Sequence, residues 1–274
     1  MAKRKLETFA DYNRALKNKY GIGEYESYKP WLRVQDVTSK GVRSQIPGIK
    51  SKRKHHFMSL IETELFYLAE FSDSVVDIRE QFPLLPINFS IKIAKSLDIK
   101  HPAHPVSKEP IIITTDLLLT RKINNVIVYE AFSVKPEDDS GDHRVIEKVE
   151  IERLWWELLG VKFHYYTGNH VTAIQSKNIK WATHSIRSDI PTFSDDYISA
   201  SLQFVPIGKV FIKDICNDFI KYLEIKPENA LELLRSLIGY RYVSVNLCRQ
   251  LERDDIIEIY SKANFDLGIA HGNS

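Results

Sequence analysis

The residues that could do chemistry lie in a predicted β-hairpin over residues 111–136, where two apolar runs flank the polar turn "RKINN". Asp116 interrupts the first run, and Lys135 closes the second. If Asn124–Asn125 form a two-residue turn, which asparagine permits because it tolerates positive φ, the strands pair symmetrically about that turn. Asp116 then lies opposite Ser133, and Lys135 lies on the diagonal of the same face.

A carboxylate and a lysine on adjacent strands, near a further acidic group, suit metal-assisted phosphodiester hydrolysis. Carboxylates bind hard cations such as Mg²⁺, and a lysine stabilises negative charge that develops on phosphate. The spacing alone leaves a buried Asp–Lys ion pair as the alternative. Glu130 does not qualify as the second carboxylate, because alternation along the strand places it on the opposite face from Ser133 and Lys135.

Hydrophobic spacing predicts the elements that position this hairpin. Helical periodicity is clear in "SLIETELFYLAEFS", which precedes the apolar strand "SVVDIREQFPL". The other elements expected in this part are strands in "WLRVQDV", "GVRSQIPG" and "VKFHYYT" and helices within 1–20, 88–98 and 142–159. This order predicts an α/β domain with a mixed sheet flanked by helices.

After residue 167 the pattern becomes helical. Helices are expected near 175–184, 195–204, 211–222 and 227–238, followed by a strand in "YRYVSVNL". We therefore expect two domains: residues 1–170 form the α/β domain, and residues 171–274 form a small, mostly helical, winged-helix-like docking domain.

Charge is unevenly distributed along the 274 residues, whose formal net charge is +2. Residues 1–56 hold 14 Lys and Arg against 5 Asp and Glu, which is +9 there and leaves −7 for the rest. With tyrosines and a tryptophan interleaved, this basic arm could hold a nucleic-acid backbone, and a solvated arm is the alternative.

Several classes of protein are excluded. No apolar run approaches the roughly 20 residues of a membrane helix, and the basic start lacks the apolar stretch of a secretory signal. Cys216 and Cys248 have no metal-binding spacing and are expected to be buried thiols of a cytoplasmic protein. Because no "GxxxxGK" loop is present, no nucleotide cofactor is expected.

Longer motifs connect the chain to a family. The segment "HHFMSLIETELFYLAEFSDSVVDIREQFPLLP" at 55–86, with "KHP" at 100–102, "TTDLLL", "SVKP" and "EKVEIERLWW", closely resembles TnsA, the endonuclease subunit of heteromeric cut-and-paste transposases. The resemblance is good over about residues 28–165 and looser beyond them. It implies a restriction-endonuclease-like catalytic domain with a basic N-terminal arm, followed by a winged-helix-like domain.

The resemblance also implies roles for particular residues. The family's helical glutamate, metal-binding aspartate and catalytic lysine fall on Glu62, Asp116 and Lys135, and we add Ser133 to this catalytic set. The implied metal ligands are Glu62, Asp116 and the main-chain carbonyl of Val134. Related nucleases carry Asp or Glu two residues before the lysine, TnsA proteins can carry glutamine there, and this chain has Ser133. The expected cofactor is Mg²⁺, with Mn²⁺ as a substitute.

Other residues have competing explanations. Ser59-x-x-Glu62 fits a capping box, in which the glutamate only satisfies a backbone N–H, and this role can coexist with metal binding. Glu147, Glu150 and Glu152 follow the hairpin on a helix; most are expected to be solvated, while Glu150 or Glu152 could turn toward the site and support a second metal. The pair His55–His56 suits no common metal geometry, and Trp155–Trp156 is expected in the core.

These inferences predict a Mg²⁺-dependent DNA endonuclease. By resemblance it cuts the 5′ ends of a transposon in bacterial cytoplasm, on double-stranded DNA, while a DDE-type transposase subunit cuts and joins the 3′ ends. A AAA+ regulatory ATPase is expected to dock on residues 171–274. Two alternatives remain: a stand-alone restriction or repair nuclease of the same fold, and a catalytically inactive docking module, which Ser133 keeps open.

Overall fold

The computed structural model describes residues 3–37, 41–137, 141–188 and 193–263. The chain divides into two compact units, Met1–Asn169 and His170–Ser274. The helices of the first unit are α1 (Phe9–Lys17), α2 (Leu60–Phe71), α3 (Ile87–Ser96) and α4 (His143–Leu158). Its strands are β1 (Ser44–Pro47), β2 (Lys54–Phe57), β3 (Val75–Pro83), β4 (Thr114–Ile123), β5 (Val126–Val134) and β6 (Lys162–Tyr166).

A four-stranded mixed sheet forms the centre of the first unit. Its order is β3-β4-β5-β6, in which β3, β4 and β5 are antiparallel and β6 runs parallel to β5. The parallel pair requires a crossover, and α4 supplies it. Helix α2 contacts β3 and β4, while α4 contacts α3 and β6. The predicted mixed sheet flanked by helices is confirmed.

Aromatic and aliphatic side chains bury one core of this unit between the sheet and the helices. Trp155 and Trp156 of α4 are each 4% exposed and pack with Leu118 and Ala131 of the central strands. Their predicted place in the core is therefore confirmed. Helix α4 therefore packs against the two strands of the hairpin.

The strand predicted in "WLRVQDV" is wrong. Those residues form a turn because Asp36 accepts hydrogen bonds from the main-chain N–H of Arg33 and from its guanidinium. A side chain that binds the backbone three residues earlier replaces a strand ladder by a local turn. Strand β2 was missed, since its four residues, "KHHF", are too few for alternation to be recognised.

The second unit has its own core and sheet. Its helices are α5 (His170–Ala182), α6 (His184–Arg187), α7 (Asp195–Leu202), α8 (Ile212–Leu223), α9 (Pro227–Gly239) and α10 (Leu251–Asp254). Its strands β7 (Gly208–Phe211), β8 (Val243–Val245) and β9 (Ile256–Lys262) form an antiparallel sheet in the order β7-β9-β8. The sequence predicted four helices and the edge strand β8, but it missed β7 and the central strand β9. The winged-helix-like arrangement stays a prediction.

Two further expectations concern the whole chain. Cys248 is exposed and Cys216 is half-buried, so the prediction that both are buried thiols is wrong. Within the described ranges, no helix combines the length and apolarity needed to cross a bilayer.

Candidate active site

The hairpin has the predicted geometry. Asn124 and Asn125 have φ of 49° and 63°, as a two-residue turn of this hand requires. The resulting register places Leu117 opposite Phe132, so that the next step of the ladder brings Asp116 beside Ser133.

Asp116 is held by main-chain and side-chain donors of the opposite strand. Its Oδ2 accepts a 2.7 Å hydrogen bond from the N–H of Val134 and a 2.8 Å hydrogen bond from Nζ of Lys135. The same ammonium donates to the carbonyl oxygen of Val134 at 2.8 Å. The Asp–Lys ion pair therefore exists, and its ammonium contacts two of the three predicted metal ligands, Asp116 and the Val134 carbonyl.

Glu62 takes part in the cap of helix α2, which is one of the two roles that its sequence context suggested. It lies in the first turn of α2, where Ser59 caps the helix by accepting from the N–H of Glu62 at 3.2 Å. The glutamate in return accepts from Oγ of Ser59 at 2.9 Å and from the N–H of Met58 at 3.0 Å. These bonds fix the carboxylate, only 5% exposed, toward Asp116.

Gln81 of β3 joins the two carboxylates and was not singled out from the sequence. Its amide Nε2 lies 3.3 Å from Oδ1 of Asp116 and 3.5 Å from Oε2 of Glu62, while its Oε1 accepts from Thr114 at 3.0 Å. Gln81 has φ of +48°, in the left-handed region that favours glycine. A single glutamine within a strand has no spacing signal, so only the tertiary structure reveals it.

Oγ of Ser133 and Oε1 of Glu152 are among the buried polar atoms that have no hydrogen-bond partner within the described residues. Ser133 is 0% exposed and Glu152 is 2% exposed. Glu152 lies one turn before Trp156 on α4, whose indole donates to Thr115 at 2.6 Å. Of the three helix glutamates considered from the sequence, Glu152 is the one that turns toward Asp116 and Lys135.

The electrostatics of this group show an excess of buried negative charge. Burial, and after it the charge of Asp116, raises the pKa of both Glu62 and Glu152 to about 7. Burial opposes the charge of Lys135, but the adjacent Asp116 outweighs it and raises the pKa of that lysine above its usual range. Burial lowers the pKa of the neighbouring Lys148, and the charge of Lys135 adds to this effect.

The remaining sequence candidates lie elsewhere. Glu130 pairs with Arg121 at 2.8 Å, in agreement with its predicted place on the other face. Glu147 pairs with Arg144, and Glu150 pairs with Arg153, as expected for solvated helix positions.

The two adjacent histidines have structural partners. His55 is 0% exposed and bonds Ser51 at 2.6 Å and Glu80 at 2.7 Å through its two ring nitrogens. The ring of His56 accepts a long 3.4 Å contact from the N–H of Val34. These contacts support packing roles.

The atoms around Asp116 that could bind a metal ion are oxygens, and Lys135 is the nearby cation. They are two carboxylates, the Val134 carbonyl and the unpartnered Ser133 hydroxyl, a set that suits Mg²⁺ better than softer metals. In the part of the chain that the structure describes, no three or more His, Cys, Asp or Glu side chains form a group that could hold a metal ion. Metal binding is therefore a proposal that rests on two carboxylates and neutral oxygens.

Sequence comparison identifies the class of this domain. Residues 72–168 match the family "TnsA-like endonuclease N terminal". This range contains Asp116, Ser133, Lys135 and Glu152, whereas Glu62 precedes it. The first unit thus contains a segment that is similar to TnsA-like endonuclease domains.

The likeness extends over most of the chain. "Transposon Tn7 transposition protein TnsA" from Escherichia coli is 28% identical over 255 residues, which cover 90% of this chain and 89% of the relative. The resemblance to TnsA that was recognised from sequence motifs is therefore confirmed, and it extends over most of the chain.

Proposed function

We propose that the protein is a metal-dependent DNA endonuclease that cuts the 5′ ends of a transposon within a heteromeric transposase. The observation that carries this proposal is the convergence of Glu62, on helix α2, with Asp116 and Lys135, which lie within the segment that matches TnsA-like endonucleases. The relative from Escherichia coli is itself named as a transposition protein.

The proposed metal ligands are Asp116, Glu62 and the Val134 carbonyl, and Mg²⁺ is the expected ion, with Mn²⁺ as a substitute. The raised pKa of Glu62 supports this choice, because a divalent cation would relieve the repulsion between buried carboxylates. When bound, the ion would polarise the scissile phosphate and lower the pKa of the attacking water.

Lys135 has the clearest role among the protein groups. Its ammonium stays protonated beside Asp116, so it supplies a fixed positive charge where the phosphate gains negative charge. Oγ of Ser133 is free to donate to a water molecule or a phosphate oxygen. Glu152, with a pKa of about 7, can hold or release a proton near neutral pH.

The assembly follows from the resemblance to TnsA. We propose that the first unit has a restriction-endonuclease-like fold and that a DDE-type transposase subunit cuts and joins the 3′ ends of the same double-stranded DNA. The second unit would be a winged-helix-like module on which a AAA+ regulatory ATPase docks. A formal net charge of only +2 agrees with an enzyme that its partners deliver to DNA.

The test is cleavage of labelled transposon ends by the purified protein and its transposase partner, read on a denaturing gel with Mg²⁺, Mn²⁺ or EDTA. The wild type should cut 5′ ends only with the metal, and Asp116→Asn should not cut. Glu130→Gln is the matched control, because Glu130 lies on the same hairpin but pairs with Arg121, and it should cut normally.

Three other outcomes would contradict parts of the proposal. Metal-dependent cutting without the transposase would indicate a stand-alone nuclease. No cutting under any condition, with assembly intact, would indicate an inactive docking module. Equal activity of Asp116→Asn and the wild type would place the active site elsewhere.

A further inference from the structure

Two adjoining cavities lie beside the basic N-terminal arm, with volumes of about 580 and 550 Å³. They share Tyr20 and Lys29 in their walls. We call them together the basic groove. Its positively charged lining residues are Lys3, Arg4, Lys5, Arg14, Lys29, Arg33, Arg53 and Lys54.

The open side of the basic groove is strongly cationic. Asp11 is the one carboxylate among the lining residues of the two cavities. Two more, Asp36 and Glu80, lie behind the arginines, with side chains 1% and 0% exposed. Eight cations against these three carboxylates leave a net charge of +5. Because both buried carboxylates face away from solvent, a ligand in the groove meets mainly the cations.

The arginines are fixed in place before any ligand arrives. Arg53 donates to both oxygens of Glu80, at 2.8 and 2.6 Å, and its guanidinium lies 5.0 Å from the ring centroid of Tyr28. Arg33 binds Asp36 at 3.0 Å through both Nε and Nη2. Guanidinium groups held in this way bind an anion with little further loss of side-chain entropy.

Arg4 adds an unused donor. It also binds Asp36, and its guanidinium lies 3.6 Å from the ring centroid of Tyr20. Its Nη1 is buried and has no hydrogen-bond partner among the described residues. A buried donor without a partner is costly.

The lysines, in contrast, are exposed at the rim. Lys3, Lys5, Lys29 and Lys54 are all exposed.

A bridge between Tyr20 and Lys29 holds the shared wall together, and Gly21 forms the turn with φ of +76°. A Cβ at Gly21 would lie 2.4 Å from Pro83, so this approach of the arm to the sheet requires glycine.

Neighbouring residues of strand β3 contact the basic groove and the candidate active site. Glu80, which holds Arg53 and accepts from the N–H of His56 at 3.1 Å, directly precedes Gln81. The side-chain amide of Gln81 contacts Asp116, and the main-chain carbonyl of Gln81 accepts from the N–H of Trp31 at 3.2 Å.

We propose that the basic groove binds the sugar–phosphate backbone of the double-stranded DNA substrate. This inference rests on the proposed function and adds a second contact surface to it. Duplex DNA is favoured over an acidic protein because two adjoining cavities lined with rim lysines suit a continuous row of phosphates, spaced about 1.7 Å per charge along the axis. No base-specific contact is required.

The test measures duplex binding by fluorescence anisotropy with the full chain in EDTA, so that no cleavage is involved. Lys29→Ala/Lys54→Ala removes two rim cations that support no described core contact. Lys92→Ala/Lys95→Ala, at exposed positions of α3, removes the same charge elsewhere and is the control. Circular dichroism and thermal unfolding confirm that each variant is folded.

The groove variant should bind a 30-base-pair duplex of arbitrary sequence roughly tenfold more weakly at 0.1 M salt. The slope of log K against log salt should become less steep by about 2, or about 1 per lost phosphate contact. The control should keep the wild-type affinity and slope.

Several results would overturn the inference. They are a wild type that does not bind duplex DNA, equal losses in both variants, or tighter binding of poly-glutamate than of DNA with the same dependence on Lys29 and Lys54. The last would assign the groove to an acidic protein partner. If the salt slope of the groove variant is unchanged but the wild type cuts DNA with the metal, the DNA-binding role of the groove is refuted and the nuclease function is not. If the slope changes but the wild type does not cut, the nuclease function is refuted and the groove is not.

Discussion

Replacing Glu62 with glutamine should stabilise the metal-free protein at pH 8 and change its stability much less near pH 5. The carboxyl group is 5% exposed, and burial together with the charge of Asp116 raises its pKa from 4.5 to about 7. Glutamine keeps the shape, and its amide oxygen can still accept from the N–H of Met58. The substitution thus removes a charge and preserves the helix cap.

The size of the effect follows from linkage. Between pH 4.5 and 7 the folded state binds more protons at Glu62 than the unfolded state does, so stability from this group falls as the pH rises through that window. A shift of about 2.5 pKa units corresponds to roughly 3 kcal/mol at pH 8. Because pH 5 lies only about half a unit above the unfolded-state pKa of 4.5, little of the effect has accumulated there, and it should be under about 1 kcal/mol.

Urea unfolding in EDTA at pH 5 and pH 8, followed by tryptophan fluorescence, measures this difference. Trp31, Trp155 and Trp156 lie in the first unit and report its unfolding. Mg²⁺ at pH 8 should stabilise the wild type more than Glu62→Gln, since only the wild type offers both carboxylates.

Glu150→Gln is the control for this experiment. A hydrogen bond from Arg153 lowers the pKa of Glu150, so its replacement should give no stabilisation at pH 8. A free-energy difference between wild type and Glu62→Gln that is the same at both pH values would refute the reasoning, because it would mean that Glu62 titrates alike in the folded and unfolded chains.

Three further predictions concern the proposed reaction. Lys135→Ala should abolish 5′-strand cleavage and preserve assembly with the transposase, so that elements join their target without full excision; simple cut-and-paste products from this variant would contradict its role. Ser133→Ala should slow cleavage moderately, and less than Asp116→Asn in single-turnover assays, because the Ser133 hydroxyl assists neighbouring ligands; complete loss would make it a direct ligand of more weight. Residues 171–274 alone should bind the regulatory ATPase in a pull-down, and a folded fragment that binds neither the ATPase nor DNA would move partner recognition to the basic arm.

The hairpin could be predicted from local sequence because its information is local. Asn124–Asn125 determine the turn, the turn determines the register, and alternation then separates Asp116 and Lys135 from Glu130. The longer helices were also predictable from their apolar periodicity. Strand "WLRVQDV" was not, because a hydrogen-bonding aspartate overrode its alternation.

Only the tertiary structure decided how distant parts of the chain meet the hairpin. Glu62, Gln81 and Glu152 come from three other elements, and their convergence on Asp116 depends on helix–sheet packing that no spacing encodes. It is this burial that turns ordinary carboxyl groups into groups with a pKa of about 7.

The basic arm shows the same division. The sequence alone establishes that residues 1–56 carry an excess of positive charge. It cannot say which cations are neutralised, because their partners are separated along the chain: Asp36 reaches Arg4, and Glu80 reaches Arg53. Folding buries those carboxylates behind the arginines and leaves the lysines at the rim, since burying an unpaired ammonium would cost far more than leaving it in water.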